Sequence, residues 1–156
     1  MRDFLFLISF SKKLFLMLIH KTTLRVRYAD TDQMHYAYNG KYFEYFEVGR
    51  TEMMREQGLT YKTIEANGYQ MPVHEAFLKF KNPAFYDELL EVETRVEKLP
   101  LANVHIDHII RSKERDLVIA EGYIELAFIK KGTKKITRAP EFFISAMKKF
   151  FEDNAA

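Results

Sequence analysis

The sequence predicts an α+β domain in which one antiparallel sheet wraps around one long helix. Three observations predict it. A single long segment, 39–57, carries apolar residues at helical spacing. Four later segments, 73–81, 90–98, 103–111 and 118–130, alternate in polarity as half-buried strands do. The order is strand, long helix, then consecutive strands, and packing the sheet over the helix is the layered arrangement that buries both apolar faces.

The elements follow in order. Segment 22–28 alternates, with Leu24, Val26 and Tyr28 on one side and Arg25 and Arg27 on the other. A connector with two Asp residues follows. In 39–57, Tyr42, Phe46, Gly49 and Met53 share one helical face, widened by Phe43 and Met54. Asn39 is the expected N-cap and Gly58 the expected stop. Gly49 costs about 1 kcal/mol against Ala inside a helix, so a close crossing over the sheet is expected there. A helical turn is expected at 61–66. In 90–98, Val92, Thr94 and Val96 face in, and Glu91, Glu93, Arg95 and Glu97 face out. In 103–111, Val104, Ile106, His108 and Ile110 share a face, and in 118–130 so do Ala120, Gly122, Ile124, Leu126 and Phe128. A turn at Gly132, a short strand at 134–138 and a helix at 140–151 with Pro140 near its start complete the chain.

Composition bounds the function. The 156 residues fit one domain, assigned to 22–156, with 1–21 as an N-terminal extension. There is no Cys, which excludes a disulfide framework, Cys-ligated metal and a thiol nucleophile, and which fits a reducing cytosol, so a cytoplasmic location is expected. The net charge of 24 − 22 = +2 is too small to make nucleic acid a partner. Fourteen Phe and nine Tyr with no Trp point to a β-rich core or an aromatic-lined pocket. The apolar runs 4–10 and 14–19 are split by Ser11, Lys12 and Lys13, and neither reaches the roughly 20 residues that span a bilayer, so no membrane partner is expected. Either 1–21 packs on the surface or lies poorly ordered, or translation starts at Met17.

The segment richest in chemistry is 28–42, YADTDQMHYAYNGKY. Asp30 and Asp32 end a strand, and a helix begins seven residues after Asp32. A helix start presents free N–H groups and partial positive charge. A carboxylate facing it can attack a polarised carbonyl while the amides hold the oxyanion. The plainer alternative for either Asp is an Asx turn or a cap. A magnesium site of the phosphatase kind needs a continuous apolar strand before the pair, and 24–28 alternates instead. A calcium loop starting at Asp30 needs Glu at its twelfth position, where Lys41 stands. His105 and His108 fall on opposite strand faces and cannot share a metal, and no metal is expected. Lys130, Lys131, Lys134, Lys135 and Arg138 form a basic turn, either a solvated face or a contact for phosphates or an acidic carrier protein.

The stretch 28–34 with 38–52, YNGKYFEYFEVGRTE, resembles the acyl-CoA thioesterases of the 4-hydroxybenzoyl-CoA thioesterase type. GYQMPV at 68–73 and FKNPAFYDELL at 80–90 resemble further blocks of that family in the same order. The resemblance implies the hotdog fold and thioester hydrolysis without a cofactor. It puts the catalytic carboxylate at Asp32, the carbonyl-polarising amide at Asn39, and a matching Tyr at Tyr38. The sequence departs at His35, where the family usually has Gly. That leaves a strained or re-routed connector, or a titratable group beside Asp32. It departs at Asn39, where many relatives have His, and at 99–102, which lacks the cations some relatives use for CoA phosphates.

These readings converge on hydrolysis of acyl-CoA, with an acyl-carrier-protein thioester as a further substrate and a non-catalytic acyl-thioester-binding protein as the alternative. The acyl group is expected along Tyr42 and Phe46, and the phosphates at Lys41, Lys134 and Lys135. Tyr38 and His35 complete the expected binding residues. A homodimer or homotetramer is expected, because a single curved sheet leaves edges and an outer face exposed.

Overall fold

The computed structural model describes residues 16–152, so the run at 4–10 and the readings attached to it lie outside the described residues. The chain forms β1 (Leu18–Arg25), a 3₁₀ turn (Tyr28–Asp30), α1 (Lys41–Glu56), α2 (Tyr61–Ala66), β2 (Tyr69–Gln70) and β3 (Val73–Phe80). It continues through β4 (Leu89–Val96), β5 (Asn103–Ser112), β6 (Leu117–Lys130), β7 (Ile136–Thr137) and α3 (Glu141–Lys148). The strands make one antiparallel sheet ordered β1-β4-β5-β6, with β3 on the far side of β6 and the short β2 and β7 on the C-terminal end of β6. α1 lies across its inner face, contacting β1, β4 and β5. This is the hotdog arrangement. No helix among the described residues is long and apolar enough to cross a membrane.

The register explains the core. Val92, Ile106, Ile110, Ile124 and Leu126 are all within 2% of full burial, and they are inward positions of their strands, as the alternation requires. Gly49 is where the helix meets the sheet. A Cβ there would lie 2.6 Å from the Thr94 hydroxyl and 2.7 Å from Val92 Cγ1, so only Gly allows this approach. α1 stops as expected: Gly58 adopts φ +72°, its N–H reaches the Arg55 carbonyl, and the Leu59 N–H reaches Met54, a Schellman motif.

Several expectations are corrected. β1 starts at Leu18, paired with Val96, so residues 18–21 belong to the sheet rather than to an extension. Tyr28 is 79% exposed because the chain leaves the strand for the 3₁₀ turn. α1 begins at Lys41 with Gly40 at the N-cap, and no side chain caps it, so Asn39 is not the cap. Its buried face includes Tyr45 and Arg50 rather than Phe43, which is 40% exposed. Tyr45 is drawn in by a hydrogen bond from its hydroxyl to buried Asp30. The strand expected at 134–138 shrinks to Ile136–Thr137, and α3 ends at Lys148.

Candidate active site

The connector between β1 and α1 is a small hairpin. Thr31 bridges Ala37, the Asp32 N–H donates to the Tyr36 carbonyl (3.1 Å), and the His35 N–H donates to the Asp32 carbonyl (3.0 Å). The turn needs a left-handed residue, and His35 supplies it at φ +66°. The connector is therefore not re-routed around His35. The ring stays exposed, and the backbone bears the strain a Gly would not.

The two carboxylates part company. Asp30 is 1% exposed. Its oxygens accept from the Arg27 guanidinium (2.8 Å), the Arg27 N–H (3.0 Å) and the Tyr45 hydroxyl (3.0 Å), while its carbonyl accepts from the Tyr38 N–H (2.8 Å). Burial opposes its ionisation, but these donors outweigh burial and hold its carboxyl below the usual value. Asp30 is thus a structural pin for both ends of the connector. Asp32 is half-buried, and one oxygen accepts from the Met34 N–H (2.8 Å). The Asx turn and the free carboxylate coexist, because the second oxygen has no hydrogen-bond partner among the described residues.

A cavity of about 480 Å³ opens here. Asp32 and Asn39 line it together with Tyr42, Phe80 and Lys81. The Lys41 and Tyr42 amides are taken by the Tyr38 and Asn39 carbonyls, whereas the Asn39 and Gly40 amides donate to no backbone partner among the described residues. These two N–H groups, at the start of a 16-residue helix, are donors that could hold an oxyanion, and Asp32 lines the same cavity as Asn39. Gly40 lets the exposed Tyr38 ring lie against the helix start: a Cβ would come within 2.8 Å of that ring and push it aside. Tyr42 forms an aromatic wall, edge-on to Phe80 at 5.1 Å, and burial raises its hydroxyl above the usual value.

The other expected residues fall differently. Tyr38 and His35 are exposed and do not line the cavity. Phe46 is fully buried, stacked on His108 at 4.5 Å, so it cannot contact an acyl chain in the cavity. Lys41 pairs with Glu44 on its own helix (3.0 Å). Lys134 and Lys135 lie in the β6–β7 turn. The cavity sits beside Phe80, which pairs with Ala120, and Lys130 is ten residues farther along β6, roughly 33 Å at a rise of about 3.3 Å per residue. Within one chain the basic turn does not reach the cavity. Lys81, paired with Glu121 at 3.0 Å, is the cation that lines it. Sequence reasoning missed it as a site residue, although it lies inside the block at 80–90. Among the described residues no cluster of His, Asp or Glu could hold a metal.

Comparison with known proteins follows the same line. The family described as the thioesterase-like superfamily matches residues 26–147. The acyl-CoA thioesterase YbgC of Haemophilus influenzae is 28% identical over 119 residues, covering 76% of this chain and 86% of that protein. The acyl-CoA thioester hydrolase YbgC of Escherichia coli O157:H7 is 29% identical over 76 residues, 49% of this chain and 57% of that protein. The solved structure of a DHNA-CoA thioesterase from Staphylococcus aureus is 32% identical, covers 77% of this chain and 80% of that one, and superposes with a TM-score of 0.73. By family this chain is therefore a thioesterase: it belongs to the thioesterase-like superfamily and carries the hotdog fold.

Proposed function

We propose that this chain hydrolyses acyl-CoA thioesters in the cavity between the connector and β3. The observation that carries the reading is that Asp32 and Asn39, whose N–H has no backbone partner among the described residues, line one cavity. The thioester carbonyl oxygen accepts from the helix-start amides, which stabilise the tetrahedral oxyanion. Asp32 either takes the proton of the water that attacks and expels the CoA thiolate, or attacks the carbonyl itself, expelling the thiolate and leaving a mixed anhydride that water then opens at the Asp32 carbonyl. Single turnover in ¹⁸O-water separates these routes. Direct attack transfers unlabelled carboxylate oxygen to the first product, and base catalysis does not. For a non-catalytic acyl-thioester-binding protein the supporting feature is His35 where the family usually has Gly, and His35 adopts the left-handed conformation, φ +66°, that a Gly would adopt.

The site is completed by a second copy. Among the described residues β3 pairs only with β6 and leaves its other edge open, with Val73 46%, Phe77 47% and Phe80 50% exposed. Antiparallel pairing of β3 with its copy sets the end of one β3 against the start of the other. The partner's β6–β7 turn then lies at the cavity end of the first chain. This is the arrangement in which Lys134 and Lys135 serve the CoA phosphates, with Lys81 at the rim of the same chain. Release of free CoA from a panel of aliphatic and aromatic acyl-CoAs tests the reading. Turnover lost in Asp32→Asn supports it, and binding without turnover by the unaltered protein overturns it. Acyl-carrier-protein thioesters belong in the same panel.

A further inference from the structure

We propose that Arg115 and the buried carboxylate of Glu88 are positioning residues, a clamp that fixes the catalytic connector from the opposite side of the cavity. Glu88 is 4% exposed and Ser112 1% exposed, deep at the end of the sheet where β4 and β5 meet. Arg115 Nε donates to Glu88 Oε1 at 2.6 Å and its Nη2 to Glu88 Oε2 at 2.9 Å, the forked geometry that only a guanidinium offers. The same Nη2 donates to the Pro83 carbonyl at 2.6 Å, and the guanidinium lies over the Phe85 ring at 4.9 Å. Glu88 Oε2 also accepts from the Phe85 N–H at 2.8 Å, and Oε1 accepts from the Ser112 hydroxyl. Segment 83–88 is thereby held at both ends.

That segment is what the connector is sewn to. The Ala37 N–H donates to the Ala84 carbonyl at 2.8 Å, and Tyr36 bridges Phe85. Ala37 stands between the bend that carries Asp32 and Asn39, two residues before the latter. Arg115 thus reaches the reacting geometry through two contacts, without lining the cavity itself. Backbone strain marks the same place. The three non-Gly residues with positive φ among the described residues are His35 (66°), Asp87 (64°) and Asp116 (49°). One lies in the connector and the other two flank the clamp. Strained backbone persists where surrounding contacts over-determine it, and the Glu88–Arg115 pair supplies those contacts.

The inference rests on the thioesterase reading for its kinetic consequence, so the test carries a readout independent of activity. Arg115→Lys keeps a positive charge for Glu88 but loses the fork and the link to Pro83. The expected result is a fall in kcat of about tenfold or more with KM held within about twofold, because geometry at the oxyanion is lost and ground-state binding is not. Amide exchange at Ala37 should quicken by a similar factor. Glu88→Gln keeps the shape but weakens the pairing, and should move both readouts in the same direction. Ile64→Val, in the fully buried core beyond the other end of α1, is the control for a general loss of stability and should move neither. Unaltered kcat and exchange in Arg115→Lys or Glu88→Gln overturn the proposal, as does an Ile64→Val control that reproduces both changes. If the unaltered protein releases no CoA from any acyl-CoA, the thioesterase reading fails. Ala37 exchange then still decides the clamp, quickened exchange supporting it and unchanged exchange overturning it.

Discussion

At the residue scale, the two Asp residues that look alike in sequence separate into a buried pin, Asp30, and a half-buried carboxylate at the cavity, Asp32, the group proposed to react. Asp32→Asn should lower kcat by about 10²-fold or more with little change in melting temperature, since the half-buried side chain gives up one backbone contact that Asn also makes. Asp30→Asn should do the reverse. It weakens the bonds to Arg27 and Tyr45 at a site 1% exposed, and about 2 kcal/mol of stability should be lost in urea unfolding. An inactive but stable Asp30 variant beside a working Asp32 variant would reverse the assignment. His35 offers a third test. At φ +66° a non-Gly residue carries about 1 kcal/mol of strain, partly offset by the greater chain entropy of an unfolded Gly. His35→Gly should therefore raise stability by a few tenths of a kcal/mol and leave kcat unchanged; a large fall in kcat would give the ring a chemical role.

At the scale of elements, the contact of α1 with the sheet sets two further expectations. Gly49→Ala adds about 1 kcal/mol of helix propensity but forces a methyl to within 2.7 Å of Thr94 and Val92. Overpacking of that kind costs about 1–3 kcal/mol, so the variant should be net destabilised in thermal or urea unfolding. Beside it lies His108, 1% exposed, stacked on Phe46 and bonded to the Thr94 hydroxyl at 3.2 Å. Burial, with Arg50 opposite, pushes its ring down to about 3. The unfolded chain takes up this proton below about 6.5 and the folded chain only near 3, so stability is lost as pH falls through that window. At pH 4.5 the loss is on the order of 2–3 kcal/mol. His105, on the outer face, acts with the opposite sign. Burial lowers it, Glu125 and Asp107 outweigh burial and raise it, and its stabilisation fades as pH rises. His108→Gln should flatten the acid slope between about pH 6.5 and 4.5, measured as the difference from the unaltered protein; an unchanged slope there would remove His108 as its cause.

At the scale of the whole molecule, the exposed apolar edge of β3 and the distance of the basic turn from the cavity belong together. The proposed dimer through β3 would cover Val73 and Phe77 and bring each basic turn to the other chain's cavity. Light scattering should show a dimer or larger at micromolar concentration, and Phe77→Lys should shift it toward monomer and lower activity together. Exposed lysine–phosphate contacts are screened over roughly 8 Å at physiological ionic strength. KM for acyl-CoA should therefore rise with salt, and Lys134→Ala with Lys135→Ala should flatten the rise. A full salt effect in the double variant would leave the phosphates to Lys81.

Much was legible in the chain itself. The period-2 segments and the one helical segment specify an antiparallel sheet over α1, because alternation and helical spacing are local properties that burial then selects. The close approach at Gly49 was readable from a Gly in a buried stripe, and the connector singled out at 28–42 lines the cavity. What tertiary structure decided is which neighbours each side chain meets. Leu18 to Lys21 join the sheet because β4 offers a partner strand that far, which no pattern in 18–21 announces. Asp30 is a pin because Tyr45 and Arg27 close on it from either side. Lys41 is drawn to Glu44, Lys81 enters the cavity, and Lys134 and Lys135 are carried to the far end of a 14-residue strand. Position in space depends on register and strand length summed over the sheet. A sequence read locally therefore fixes which faces are buried but not which charges converge.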